Sequence, residues 1–204
     1  MKHKFLTIII LLFSGIISVS ALTAEQILAN AASKFTKSGA VSATYTFTMN
    51  GRSNSGSIKA KSKKFCIETS SAMVCYNGVN LWEYNKAEDQ CTLSAPPYSE
   101  TAQMNPYAIL SSYKSAYKAS TVKSKIKGTY AIRLTPTTTH SPISKATVYI
   151  RASDWQPVRL DILDRSGALT TILITSIKVG ASIPDSDFEF NTKQHPGTEL
   201  IDLR

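Results

Sequence analysis

Hydrophobic and polar residues alternate along most of the chain between residues 40 and 180. The clearest stretch is Val41–Met49, where apolar or aromatic side chains at odd positions alternate with serine and threonine at even positions. A period of two is typical of a β-strand with one buried face. Asn50-Gly51 and the Ser/Gly-rich Arg52–Ser57 predict the turn that follows. Similar segments then succeed one another, separated by short turns: Ile58–Lys61, Lys64–Thr69, Ala72–Asn77, Val79–Asn85, Gln90–Ala95, Ala119–Ile126, Thr129–Pro136, Ser144–Arg151, Pro157–Leu163 and Ala168–Lys178.

A helix is predicted before the first strand. Thr23 and Gln26 have the spacing of a capping box, in which each side chain bonds the backbone N–H of the other residue. Apolar residues recur at helical spacing as far as Phe35, and Gly39 has the position of a C-terminal cap. The spacing predicts about four helical turns here.

A second, shorter helix is predicted in the middle of the chain. Pro96-Pro97 ends the strand pattern and begins a loop. Asn105-Pro106 then combines a capping residue with proline at the first helical position. The predicted helix carries a large apolar and aromatic face, which consists of Tyr107, Ile109, Leu110, Tyr113 and Tyr117. The chain is therefore expected to be mainly β, with one long antiparallel sheet and few helices.

The first 21 residues have the features of a cleaved signal peptide. Lys2 and Lys4 precede an apolar run, and Val19-Ser20-Ala21 supplies the small residues that a signal peptidase recognises. An uncleaved membrane anchor is the alternative, but the run is short for a span of about 20 residues. We expect one exported domain, residues 22–204, in the periplasm.

The chain is basic, with 23 Lys+Arg against 14 Asp+Glu among 204 residues. The lysines form two groups: Lys59, Lys61, Lys63 and Lys64 in one, and Lys114, Lys118, Lys123, Lys125 and Lys127 in the other. Solvated surface is the simplest interpretation, and attraction to an anionic membrane or an acidic partner is the alternative. Nucleic acid is not expected, because no nucleic-acid motif accompanies the charge.

Catalytic chemistry has little support in the sequence. Phosphate-binding loops, nucleophile elbows and HExxH motifs do not occur, and three cysteines cannot form a four-cysteine zinc site. His140 and His195 are isolated in loops, where we expect exposure to solvent. We therefore expect a monomeric binding protein without metal, cofactor or enzymatic activity.

Two of the cysteines are expected to face each other. If Ser70-Ser71 is a two-residue hairpin loop, Cys66 lies opposite Cys75 in a non-hydrogen-bonded pair, at a Cα separation of about 4.5 Å. A disulfide can span that distance, although two free thiols are the alternative. Cys91 is left over and is expected to be a small buried residue near Tyr84.

The same register distributes the aromatic residues between the two faces of the sheet. It places Phe65, Ile67, Val74 and Tyr76 on the face opposite the cysteines. Leu81 and Val79 continue that face beyond the Asn77-Gly78 turn. Trp82 and Tyr84 then lie on the cysteine face, unless a bulge shifts the register.

A family resemblance emerges from these segments taken together. The stretch Asn77–Asn85, with Leu81-Trp82 and Tyr84-Asn85, resembles an Asp-Gly-x-x-Leu-Trp-x-Tyr-Asn motif of the outer-membrane lipoprotein carrier (LolA) family. The order of the other segments is also similar to that family: the signal peptide, the first helix, Val41–Met49, Asn105-Pro106, Phe188-Glu189-Phe190, Pro196-Gly197 and Ile201-Asp202.

The resemblance implies a fold, a function and partners. In that family an incomplete antiparallel barrel and short lid helices enclose an apolar cavity for lipoprotein acyl chains. The protein would carry lipoproteins from an inner-membrane lipoprotein-releasing transporter to an outer-membrane acceptor. The cavity residues implied for this chain are Val41, Tyr45, Phe47, Phe65, Ile67, Val74 and Leu81 on the sheet and Tyr107 and Leu110 on the lid.

The resemblance has one departure and leaves alternatives open. The family's lid-latching arginine falls near Ser62, where this chain offers only Lys61 and Lys63, and lysine is not a bidentate donor. The same fold could carry or sense another lipid. A sugar-binding or adhesive module would need Trp82, Tyr84 and Trp155 exposed together, and the cavity residues could also form an ordinary core.

Overall fold

The sheet predicted from the alternating pattern is the main feature of the protein. A computed structural model describes residues 22–105, 107 and 113–204; the proposed leader, residues 1–21, lies outside them. The described residues form twelve strands: β1 Val41–Met49, β2 Arg52–Lys61, β3 Lys64–Thr69, β4 Ala72–Tyr76, β5 Leu81–Asn85, β6 Gln90–Ser94, β7 Tyr117–Val122, β8 Thr129–Pro136, β9 Ile143–Arg151, β10 Pro157–Asp164, β11 Leu169–Val179 and β12 Glu199–Asp202.

All twelve strands belong to one open, curved sheet. Its order is β12-β6-β5-β4-β3-β2-β1-β11-β10-β9-β8-β7, so β12 and β7 form its edges and the sheet does not close into a barrel. Two antiparallel meanders, β1–β6 and β7–β11, meet where β1 pairs with β11. The predicted incomplete barrel is thereby confirmed.

Several segments of the sheet differ from the sequence prediction. β7 runs from Tyr117 to Val122, whereas a strand over Ala119–Ile126 was predicted, with Tyr117 on the preceding helix. The first turn is only Asn50-Gly51, both with positive φ, and β2 already begins at Arg52 rather than at Ile58. Two left-handed residues make the tight turn that joins hairpin strands, so the polar residues after it pair with β1 despite lacking apolar alternation. β12 was also not predicted. It pairs in parallel with β6 and covers that edge.

The helix before the sheet, α1, spans Ala24–Thr36. The predicted capping box is present: the Thr23 N–H donates to Gln26 Oε1 at 2.9 Å, and the Gln26 N–H donates to Thr23 Oγ1 at 3.2 Å. The helix is capped at Lys37 rather than at Gly39. Gly39, at φ 78°, instead lies in the turn that leads into β1.

The segment between β6 and β7 is more helical than predicted. Residues after Pro97 form a one-turn helix, α2, at Tyr98–Thr101, and a 3-10 turn at Ala102–Met104. Tyr107 and residues 113–116 are also helical. No helix among the described residues is long and apolar enough to cross a membrane.

The two faces of the sheet are covered by different parts of the chain. We call the face that carries Phe65 and Ile132 the inner face and the opposite one the outer face. On the inner face, α1 packs over β8 and β9, and the segment from Tyr98 to Tyr107 packs over β3–β5. On the outer face, Ile183, Phe188 and Phe190 of the C-terminal segment pack over β2–β6.

The hairpin register was predicted correctly. Cys66 pairs with Cys75 at a Cα distance of 4.0 Å, and a disulfide joins them. Trp82 lies opposite Cys75, so Trp82 and Tyr84 are on the outer face without a bulge. Cys91 lies opposite Tyr84 and is buried, and burial raises the pKa of its thiol to about 11.

Peptide mapping without reduction tests this assignment. We expect a linked pair of peptides containing Cys66 and Cys75, and slow alkylation of Cys91 at neutral pH, because a buried thiol with a raised pKa holds little thiolate. Unfolding the protein in denaturant should make Cys91 reactive. Rapid alkylation of Cys66 and Cys75 in unreduced protein would contradict the disulfide.

Candidate functional site: the inner face of the sheet

The structure brings the predicted sheet residues onto one face. Val41 pairs with Ala60, Ala60 with Phe65, Phe65 with Tyr76, and Tyr76 with Leu81, so the inner-face register runs continuously across five strands. Directly opposed residues point to the same side of a sheet. Tyr45, Phe47, Ile67 and Val74 follow at steps of two on the same strands and therefore share that face.

These inner-face residues have two different degrees of burial. Val41, Phe65 and Leu81 are buried in a cluster with Phe35, against which Tyr107 packs. Further along the strands, the apolar side chains are only half-buried. We call this half-buried group the apolar strip: Tyr45, Phe47, Ile58, Ile67, Val74 and Ile172. The predicted cavity residues thus divide between a packed core and an apolar surface that is partly open.

Tyr45 in the apolar strip lies across a glycine on the neighbouring strand. A Cβ atom at Gly56 would approach Tyr45 Cζ and Oη to 2.7 Å and the Glu68 carbonyl oxygen to 2.9 Å. The missing side chain at Gly56 therefore makes room for the Tyr45 ring. Burial also raises the pKa of the Tyr45 hydroxyl, which stays neutral.

Gly56→Ala should therefore destabilise the protein. The new methyl group must displace both the Tyr45 ring and the backbone at Glu68, and overpacking of this kind costs about 1–3 kcal/mol. Urea denaturation measures the loss. The control is Ser55→Ala, at the exposed neighbouring position of β2. Gly167→Ala would be a poor control, because Gly167 has a φ of 89°. Equal stability of the two variants would contradict the placement of the Tyr45 ring.

We call the segment from Tyr98 to Tyr107 the lid segment, after the lid that the resemblance predicts, and Asn105 anchors it near its end. Its side chain is completely buried, its Nδ2 donates to the Ser62 carbonyl at 2.9 Å, and its Oδ1 accepts from the Tyr107 N–H at 2.9 Å. The second bond is the predicted helix cap. The first ties the lid segment to the β2–β3 turn, where the sequence offers no latching arginine.

Aromatic packing adds to this anchor. The Tyr98 ring stacks on Tyr76 at a centroid distance of 6.1 Å, and Lys63 Nζ lies 5.4 Å from the Tyr98 centroid. A cation over an aromatic face is attracted by the ring quadrupole. Lys63 and Ser62 thus both hold the lid segment, without a bidentate side chain.

The structure describes only some of the residues predicted to form the lid helix. Tyr107 packs into the inner-face cluster, where burial raises the pKa of its hydroxyl and Ser38 partly opposes the shift. Tyr113 is buried against α1, and burial raises the pKa of its hydroxyl. Leu110 and Ile109 lie outside the described residues, so the role of Leu110 stays a prediction.

The first lysine group is largely engaged in ion pairs. Lys59 Nζ lies 2.7 Å from Asp187, and Lys61 and Lys64 lie 3.1 and 2.8 Å from Asp185. Lys64 and Lys61 lower the pKa of the Asp185 carboxyl. They fix the C-terminal segment to β2 and β3 and are not simply a solvated surface. Lys114, Lys118, Lys123, Lys125 and Lys127 of the second group are exposed.

His195 differs from its prediction. It is half-buried, and its ring lies 4.8 Å from those of both Tyr84 and Phe190. His195 therefore packs with the aromatic residues on the outer face and is not freely exposed to solvent. Within the described residues, no group of three His, Cys, Asp or Glu side chains could hold a metal ion.

The inner face thus presents a partly open apolar surface. A sequence model of the family described as "Outer membrane lipoprotein carrier protein LolA" matches residues 15–164. The chain belongs to the LolA family. Proteins of this family have a non-enzymatic binding fold. Membership therefore supports the interpretation of this chain as a lipoprotein-binding module of periplasmic type. Comparison with curated proteins finds no match.

The chain is also similar to several solved structures. An uncharacterized conserved protein from Thermus thermophilus is 13% identical and has a TM-score of 0.59, over 88% of this chain and 98% of the other. A LolA superfamily protein from Nitrosomonas europaea is 12% identical, with a TM-score of 0.43 over 83% and 99% of the chains. An outer-membrane lipoprotein-sorting protein domain from Vibrio parahaemolyticus is 14% identical, with a TM-score of 0.46 over 84% and 99%.

Proposed function

We propose that this LolA family member is a periplasmic carrier that holds lipoprotein acyl chains against the apolar strip. In this proposal, residues 1–21 direct export, an inner-membrane lipoprotein-releasing transporter loads the carrier, and an outer-membrane acceptor unloads it. The observation that carries the proposal is the half-buried strip itself. Tyr45, Phe47, Ile67 and Val74 continue the packed core along the same strands, so bound acyl chains would extend an existing apolar layer.

The strength expected of such a surface suits a carrier. Sequestering about ten methylene groups at roughly 0.8 kcal/mol each gives about 8 kcal/mol. This corresponds to a dissociation constant near the micromolar range. An acyl chain would be kept out of water and would still transfer to an acceptor that binds it more tightly.

Two other functions were compatible with the sequence. Transport or sensing of another lipid uses the same surface, and the identity of the bound molecule separates it from lipoprotein transport. Sugar binding required a joint aromatic patch. Trp82 and Tyr84 instead pack in the outer-face cluster, whereas Trp155 stacks on Tyr130 beside α1 on the inner face. The geometry does not favour that function.

Native mass spectrometry of protein purified from the periplasm tests the ligand class. The full chain is expressed with its own leader, and mass shifts of the intact protein are assigned by fragmentation. A bound triacylated peptide or lipoprotein supports lipoprotein transport. Phospholipid or another lipid as the consistent occupant supports the alternative cargo, and ligand-free protein that binds no added acyl probe overturns both.

A pair of substitutions on β1 tests the surface. Phe47→Glu places a carboxylate on the apolar strip, where an acyl chain would desolvate it, and desolvation of a charge costs several kcal/mol. We expect affinity for a long-chain fluorescent fatty acid to fall at least tenfold. Thr46→Glu introduces the same charge on the outer face of the same strand and should change affinity less than twofold.

Circular dichroism and urea denaturation of both variants separate binding from folding. Unchanged affinity in a folded Phe47→Glu variant would show that the strip is not the binding surface. Equal losses in the two variants would show an effect of net charge alone.

A further inference from the structure

A part of the outer face remains uncovered by the C-terminal segment. The four buried clusters of the described chain lie on the inner face or on the outer face of β2–β6. The outer face of β7–β11 belongs to none of them. It is a surface of five strands, about 20 Å across at ordinary strand spacing.

The register collects basic side chains on this surface. Lys118 pairs with Thr135, and Arg133, two residues before Thr135, shares its face. Arg133 in turn pairs with Thr147, which places Lys145 on the same side. Lys118, Arg133 and Lys145 are all exposed, and none has an ion-pair partner in the described part of the chain.

One carboxylate lies among these cations, and it is already engaged. Asp161 Oδ1 accepts from Arg159 Nε at 2.7 Å and from Thr171 Oγ1 at 3.0 Å. Because Asp161 pairs across β10 and β9 with Thr147, it shares the outer face with Arg133. Arg159 neutralises its charge locally, which leaves the positive charges of Lys118, Arg133 and Lys145 uncompensated among the described residues.

Two exposed leucines accompany the cations. Leu169 and Leu173 are 50% and 43% exposed. They pair with Leu163 and Arg159 on β10, and therefore point to the same side as Lys145. We call the group Lys118, Arg133, Lys145, Leu169 and Leu173 the outer patch.

We propose that the outer patch docks the protein on an anionic phospholipid bilayer. The chemistry is complementary: dispersed cations face an anionic headgroup layer, and leucines can enter the interfacial region beside it. The cations are spread over several strands that face one way, which suits an extended anionic surface. This function goes beyond acyl-chain transport, because it uses the opposite side of the sheet and requires no bound ligand.

Vesicle co-sedimentation tests the docking surface. The mature protein is mixed with phosphatidylcholine vesicles that contain or lack about 30% phosphatidylglycerol, at low salt and at physiological salt. We expect binding only to the anionic vesicles and weaker binding at higher salt. Each basic residue near such a surface strengthens binding about fivefold, so Arg133→Glu with Lys145→Glu should reduce it at least about 25-fold.

Matched variants distinguish the outer patch from the overall charge. Lys123→Glu with Lys127→Glu makes the same charge change in the exposed β7–β8 loop and should reduce binding less than threefold. Leu169→Ser with Leu173→Ser should weaken binding severalfold, whereas Leu200→Ser, at a similarly exposed leucine on β12, should not. Phe47→Glu should leave vesicle binding intact, which separates this proposal from acyl-chain transport.

Three results would overturn the proposal. Equal losses in the two charge-reversal variants would mean attraction by net charge without a defined surface. Equal binding to neutral and anionic vesicles would show that the cations do not contribute to binding. Binding of an acidic polypeptide such as polyglutamate, without binding to anionic vesicles, would assign the patch to a protein partner.

Discussion

Phe65→Ala should lower the free energy of unfolding by about 3–5 kcal/mol. Phe65 is 0% exposed, and its ring lies 5.8 Å from that of Tyr76, within the inner-face cluster that also contains Phe35 and Leu81. Truncation of a fully buried phenylalanine loses transfer free energy and leaves a cavity that its neighbours fill only partly. Urea denaturation measures the change, and an unaltered slope m would show that the unfolded state is unaffected.

Two further variants test whether this loss of stability comes from the packed core. Phe47→Ala, on the half-buried strip, should cost clearly less, because part of that side chain is already in contact with water. Phe65→Leu should recover much of the stability by filling the volume. A loss below about 1 kcal/mol in Phe65→Ala would contradict a packed site. Fatty-acid binding should also weaken, since the strip lies on the strands that Phe65 holds in place.

Asn105→Ala should destabilise the protein by about 2–4 kcal/mol. The substitution removes the cap of the Tyr107 N–H and leaves the Ser62 carbonyl without its donor, in a region where Asn105 itself is fully buried. Loss of a cap costs about 0.5–2 kcal/mol, and an unsatisfied buried polar group costs about 1–3 kcal/mol. Hydrogen exchange should rise from the Tyr98–Met104 segment onward, because the tie to the β2–β3 turn is lost.

Asn105→Asp tests the bond to Ser62 in a second way. The carboxylate can still accept from the Tyr107 N–H, but it has no proton to donate to the Ser62 carbonyl, and it places a buried charge against that oxygen. We therefore expect Asn105→Asp to destabilise the protein at neutral pH at least as much as Asn105→Ala. Asn191→Ala is the matched control, because Asn191 accepts one exposed backbone bond from Lys193. It should change stability by less than about 0.5 kcal/mol. Wild-type stability in Asn105→Asp at neutral pH would contradict the buried contact between Asn105 and the Ser62 carbonyl.

The sheet could be predicted from the sequence where turns fixed the register. The two-residue loop at Ser70-Ser71 determines every pair between β3 and β4, including Cys66 with Cys75. The beginning of β2 was missed because Ser53–Ser57 contain no apolar residue to alternate. In the structure, pairing with β1 keeps this segment extended.

Contacts between distant segments could not be predicted in the same way. The Asn105 cap was evident from the proline that follows it, but the partner of its Nδ2 is a backbone carbonyl 43 residues away. Every residue has a backbone carbonyl, so this partner cannot be recognised from the amino-acid sequence. His195 was misplaced for a related reason: its partners Tyr84 and Phe190 come together only after the C-terminal segment folds back over β5.

The pairing of β1 with β11 has a consequence for the order in which the chain folds. Val41 and Val179, which face each other, are 138 positions apart, whereas the hairpins on either side of them are local. During synthesis from the N-terminus, β1 can complete its ladder with β2 early, but its other edge must wait for almost the whole chain. An unpaired strand edge is a template for association with other chains. The pairing of β1 with β11 joins residues that are far apart in sequence. We therefore expect it to be the slowest step of folding and the step at which aggregation competes most strongly.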